Sequence, residues 1–119
     1  MSEAKPVQRV TAESIENLIV GEVYFTAADG VSEREQDAEK LENYHQLALL
    51  TFCVLILRNG TTVTGEGRLP ENPPEDMDPE IGVSVVCQQA REDAICKVRA
   101  LESYLLKQKQ YEGNQQNGN

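Results

Sequence analysis

Apolar positions set the outline of the chain. Ile15, Leu18 and Ile19 recur at i, i+3 and i+4, the stripe of an amphipathic helix. Thr11 supplies its N-cap, with Ser14 as the alternative, and Glu13 and Glu16 suit the positive end of the helix dipole. Gly21 stops this helix. The β-formers Val23, Tyr24, Phe25 and Thr26 then predict a strand over 22–27, closed by turn chemistry at Ala28-Asp29-Gly30. In the charge-dense segment 31–46 only Val31, Ala38, Leu41 and Tyr44 suit a core. It reads as an exposed, partly ordered loop or a short surface helix, with the loop favoured.

The strongest local signal follows. Leu49 to Leu57 is a β run, and Asn59-Gly60 joins it to Thr61-Thr62-Val63-Thr64. A two-residue type I′ turn at Asn-Gly pairs Ile56 with Val63 and Leu55 with Thr64. That register puts Phe52, Val54, Ile56 and Val63 on the expected core face. Cys53, Leu55, Leu57, Thr62, Thr64 and Glu66 fall on the other. The proline-rich, acidic stretch 69–78 excludes helix and central strand. Asp78-Pro79-Glu80 opens a long helix, with a stripe at Cys87, Ala90, Ala94, Val98, Leu101 and Leu105. Run to about 108, it spans roughly 45 Å. A helix that long on so small a body is expected to project and to pair with another chain.

The expected fold class is therefore α+β: a small antiparallel sheet with a central hairpin packed on one long C-terminal helix, and a short N-terminal helix. Residues 10–109 form one domain, and 1–9 and 110–119 are flexible tails.

The formal net charge of −9 excludes a sequence-independent nucleic-acid binder and disfavours anionic membranes. It serves solubility, or an acidic face that meets a basic partner. No apolar run is long enough to span a bilayer. Cys53, Cys87 and Cys96 form no disulfide framework and indicate a reducing compartment. They read as small buried hydrophobes. Cys87 and Cys96, nine positions apart, fall on opposite faces of one helix.

Catalytic chemistry is not visible. His45 is the single histidine, and with the cysteines it makes no metal-ligand spacing. No metal or other cofactor is expected, and no enzyme. The acidic pairs Glu33/Glu35, Glu75/Asp76 and Glu92/Asp93 lack the apolar surroundings that acid–base work requires. Thr64-Gly65-Glu66-Gly67 is too short for a P-loop and reads as a bulge or strand end. Cations are few. If the polar face of the hairpin met a helix, Thr62, Thr64, Arg68 and Arg91 would line a small anion pocket.

The segment LLTFCVLILRNGTTVTGEG, preceded by YFTAADG and followed by D-x-EIG and AREDAICKVRALESYLL, resembles a widespread family of short phage accessory proteins. The match covers about residues 24–106. That family is related to the first-described Thoeris anti-defence proteins, sponges that bind a cyclic nucleotide immune signal without cleaving it. Such signals are of the cyclic ADP-ribose type or cyclic oligonucleotides. The resemblance implies a phage protein of the host cytoplasm, a homo-oligomer built from dimers, and ligand bound at subunit interfaces. For such a ligand, side-chain chemistry makes Tyr24 the candidate for stacking on base or ribose, Thr62 and Thr64 the hydroxyl donors, and Arg68 and Arg91 the phosphate contacts. The sequence departs from the family pattern where Thr61 replaces an aromatic residue, Arg99 a tryptophan and Ser103 a glycine. It also carries Gly67, Arg68 and Leu69 after Glu66, Asp76-Met77-Asp78 before the helix, and about four extra residues between Gly82 and Arg91. The rival reading is an acidic protein–protein inhibitor or DNA mimic, which would use residues 71–80 and 31–46. A minor structural or DNA-metabolism accessory is a third.

Overall fold

The computed structural model of the protein describes residues 9–32, 44–72 and 74–117. Most of the charge-dense segment 31–46 and of the N-terminal tail lies outside the described residues. The elements run α1 (Ala12–Leu18), β1 (Ile19–Thr26), α2 (Ala27–Ser32), α3 (Tyr44–Ala48), β2 (Leu50–Leu57), β3 (Thr62–Arg68) and α4 (Pro79–Asn117). The strands form one antiparallel sheet in the order β1-β2-β3, and α4 packs along it. The α+β class and the sheet-on-long-helix architecture are thus as expected.

Local differences have local causes. Thr11 and Ser14 close a reciprocal capping box on α1, but the helix ends at Leu18 and β1 begins at Ile19, three residues before the expected strand. A register shift between Ile19 and Gly21 absorbs Val20, so Gly21 continues the strand instead of stopping a helix. A second reciprocal pair, Thr26 N–H to Asp29 Oδ2 and Asp29 N–H to Thr26 Oγ1, turns the expected 28–30 turn into the short helix α2. At the other end α4 continues to Asn117, past the expected end near 108.

The hairpin loop holds three residues, not two. Leu57 N–H bonds to Thr61 O at 2.8 Å, Gly60 N–H bonds to Leu57 O at 2.9 Å, and Gly60 lies at φ 89°. A turn closed by a left-handed glycine is the three-residue solution. It moves the register by one, to Ile56 with Thr62 and Leu55 with Val63. A one-residue slip exchanges the faces of a strand. The β2 residues turned to the helix are therefore Thr51, Cys53, Leu55 and Leu57, all buried, while Phe52, Val54 and Ile56, expected in the core, line the opposite face.

Glycine decides which face α4 covers. Val63, Gly65 and Gly67 share one side of β3. A Cβ on Gly65 would collide with the Ala90 carbonyl and the Ala94 amide and lie 2.9 Å from Ala94 Cα; one on Gly67 would strike the Val86 carbonyl. The helix backbone thus lies directly on the strand, its contact face built from Val86, Ala90, Ala94 and Val98, each at most 2% exposed. Ile15 and Val63 complete this core with the helix-facing residues of β2.

Candidate functional site

With α4 on one side, the other side of the sheet carries no long helix among the described residues, and it presents a set of recognition-type side chains. Pairing fixes its rows: Gly21, Ile56 and Thr62; then Val23, Val54 and Thr64; then Phe25, Phe52 and Glu66; then Leu50 and Arg68. The result is an apolar floor with a polar rail along β3. Thr62 and Thr64 are exposed and about 7 Å apart along the strand. Phe25 and Phe52 meet as a tilted pair, ring centroids 5.6 Å apart, with Phe25 still 38% exposed. Arg68 is exposed at the end of the rail and makes no ion pair among the described residues. This face combines aromatic surface, hydroxyls and a guanidinium, the groups that take a base, ribose oxygens and a phosphate respectively.

The rail stands on a secured edge. β3 is an outer strand, and α4 side chains satisfy its outward backbone groups: Glu66 N–H donates to Asp93 Oδ2 at 3.0 Å, and Lys97 Nζ donates to Thr64 O at 2.7 Å. Lys97 also pairs with Asp93 at 3.3 Å. The Glu66 amide, with help from Lys97, holds the Asp93 carboxyl below its ordinary range. Strand addition at this position is blocked.

Tyr24 and Arg91 lie elsewhere. Tyr24 pairs with Cys53, so it belongs to the helix side of the sheet at the β1 edge. There Arg91 of α4 binds Glu16 of α1 at 2.7 Å and Glu22 of β1 at 2.9 Å. The Tyr24 hydroxyl donates to the other Glu22 oxygen at 3.0 Å. Arg91 lowers the Glu22 carboxyl below its usual 4.5, against the opposing pull of burial. Glu16 first, and Glu22 with it, hold the guanidinium firmly protonated. Burial, then the Glu22 hydrogen bond and Cys53, push the Tyr24 phenol well above its ordinary value. Two carboxylates neutralise Arg91, which makes this cluster a fastener of α1, β1 and α4.

The polar face of the hairpin therefore does not meet the helix, and the pocket expected from Thr62, Thr64, Arg68 and Arg91 does not form within one chain. Thr62, Thr64 and Arg68 come together; Tyr24 and Arg91 come together on the opposite side. Sequence reasoning missed Phe25 and Phe52, since Phe52 was assigned to the core. It also missed Glu16 and Glu22 as the partners of Arg91, for which the sequence holds no local signal. His45 is exposed on α3, and Cys96 is exposed, not buried, while Cys53 is buried and Cys87 half-buried. No group of three potential metal ligands occurs among the described residues, and none of their helices is long and apolar enough to cross a membrane.

The model of the phage protein (N4 Gp49/phage Sf6 gene 66) family matches this chain over residues 10–110. No curated protein and no solved structure matches it.

Proposed function

As the chain belongs to the phage protein (N4 Gp49/phage Sf6 gene 66) family, we propose that it is a non-catalytic anti-defence protein that binds and sequesters a cyclic nucleotide immune signal in the host cytoplasm. One observation carries this reading: the open face sets the Phe25–Phe52 pair beside Thr62, Thr64 and Arg68. The signal is of the cyclic ADP-ribose type or a cyclic oligonucleotide. Its base lies on the aromatic pair, its ribose on the threonine hydroxyls and its phosphate on Arg68. Tyr24 and Arg91 join this site only from a second copy, in an oligomer built from dimers. For Arg91 the phosphate must then compete with Glu16 and Glu22.

Thermal unfolding of the purified protein against cyclic ADP-ribose isomers, cyclic di- and trinucleotides and linear ADP-ribose tests the proposal. Ligand at a hundred times its Kd adds about 2.7 kcal/mol. The expected result is a stabilisation that Arg68→Ala abolishes, with intact ligand recovered after denaturation. A flat panel sinks the reading, and recovery of cleaved ligand sinks its non-catalytic part.

A second reading has its own support. Glu71, Glu75, Asp76, Asp78 and Glu80 are all exposed, a local acidic surface suited to blocking a basic host protein or mimicking DNA. It predicts capture of one basic host protein, weakened by salt, and no thermal response to nucleotides.

A further inference from the structure

The outer strands β1 and β3 differ in how their edges are finished. On β3 the Glu66 N–H and the Thr64 C=O point away from β2, and Asp93 and Lys97 of α4 take them. Backbone groups alternate in direction along an antiparallel ladder. Thr62, Thr64 and Glu66 therefore turn outward, their β2 partners Ile56, Val54 and Phe52 turn toward β1, and Gly21, Val23 and Phe25 receive them. The β1 residues left facing outward are Glu22, Tyr24 and Thr26. Asp29 takes the Thr26 N–H. The N–H and C=O of Glu22 and of Tyr24 have no hydrogen-bond partner among the described residues.

Little in β1 guards this edge. Ile19–Thr26 holds no Lys and no Pro, and Arg91 engages the charge of Glu22. Its apolar side chains stand out instead: Val23 is 48% exposed, and Tyr24 and Phe25 are each 38% exposed. A bare edge with apolar side chains is a template for one more strand. We propose that β1 binds an extended segment of another protein by strand addition, and that this segment alternates apolar residues with Lys or Arg.

The pleat sets the alternation, since a strand laid along β1 sends successive side chains to opposite faces of the sheet. One set lies beside Val23 and Phe25 and is apolar. The other lies beside Glu22 and Tyr24, near Glu16, whose carboxylate side chain is half exposed. Local charge sets the sign of that second set. Residues 10–32 carry Glu13, Glu16, Glu22 and Asp29 and no Lys, Arg or His. The cations that reach this stretch are both engaged, Arg91 by Glu16 and Glu22, and Arg58 by the Asn17 carbonyl at 2.6 Å. A basic segment complements the remaining negative charge. A second copy's β1 is the poorer occupant, because it brings the same carboxylates and no cation. The inference goes beyond the nucleotide reading and does not rest on it.

Fluorescence anisotropy of a labelled, end-blocked peptide of alternating valine and lysine, titrated with the full chain in the absence of nucleotide, tests the proposal. Hydrogen exchange then locates the contact. The expected result is saturable binding that protects the Glu22 and Tyr24 amides. N-methylating the peptide on its edge-facing amides removes backbone hydrogen bonds and keeps every charge. That change should weaken binding about tenfold, and replacing lysine with glutamate should weaken it at least as much. Tyr24→Pro removes an outward N–H without breaking the β1–β2 ladder and should abolish binding, with circular dichroism as the check on folding. Should that variant not fold, the exchange pattern and the methylated peptide decide the matter on the wild-type chain. No binding, equal binding of the methylated peptide, or protection that falls on residues 71–80 instead would overturn the proposal. So would sedimentation equilibrium showing that the wild type self-associates and Tyr24→Pro does not, since a second copy would then hold the edge.

Discussion

The two faces of the sheet are built from almost equally hydrophobic strand residues and have opposite fates. On β2 the helix-facing set is Thr51, Cys53, Leu55 and Leu57, and the open set is Phe52, Val54 and Ile56. Judged by side chains, the second set is as good a core. The difference comes from β3. On one side it offers Val63, Gly65 and Gly67, flat enough for a helix backbone to rest against; on the other it offers Thr62, Thr64, Glu66 and Arg68, which hold a helix away. A core face is thus chosen by how closely the neighbouring layer can approach as well as by hydrophobicity.

The sharpest way to break this asymmetry is to remove the flatness. Gly65→Ala, and more so Gly65→Val, should cost more than about 3 kcal/mol or prevent folding, because the colliding atoms are helix backbone that cannot rotate aside. Urea unfolding followed by circular dichroism measures this, and a stable Gly65→Ala would refute the close-contact account. Next in size is a matched pair. Leu55 is fully buried, so Leu55→Ala should cost about 3 kcal/mol. Ile56→Ala on the half-buried open side should cost about 1 kcal/mol, and equal losses would mean that both faces are covered.

Smaller still is the fastener at the β1 edge. Arg91→Ala should cost about 1 kcal/mol at neutral pH, a modest value because its partners are partly solvated. The folded-state pKa of Glu22 lies below its ordinary 4.5. Its contribution is therefore complete above that pH and is lost as pH falls through the folded value. The gap between wild type and Arg91→Ala should accordingly narrow in denaturation series run below pH 4.5; a gap constant down to pH 2 would remove Glu22 from the account. Smallest of all, Thr64→Val and Arg68→Ala should leave stability within about 0.5 kcal/mol. If the open face binds nucleotide, these two nevertheless abolish or weaken the response.

Much of this was legible. The Thr11 cap, the hairpin around Asn59-Gly60, the Asp78-Pro79 helix start and the small-residue stripe Ala90, Ala94 and Val98 are encoded in short windows, where propensity and capping act over a few residues. Of the candidate site, Thr62, Thr64 and Arg68 stay together because i, i+2 alternation along one strand is a local property. Their separation from Tyr24 and Arg91 was not legible, since it depends on which side of the sheet the helix takes.

By itself, then, the sequence determined the kinds of elements, their order, and which side chains share a strand or a helix. The tertiary structure decided the register of the hairpin, the identity of the buried face and the partners of Arg91. Asn-Gly is compatible with both two- and three-residue loops, and the choice between them turns on where Gly65 and Gly67 must lie to admit the backbone of Ala90 and Ala94. That is a contact between residues about 25 positions apart, and no local preference can carry it.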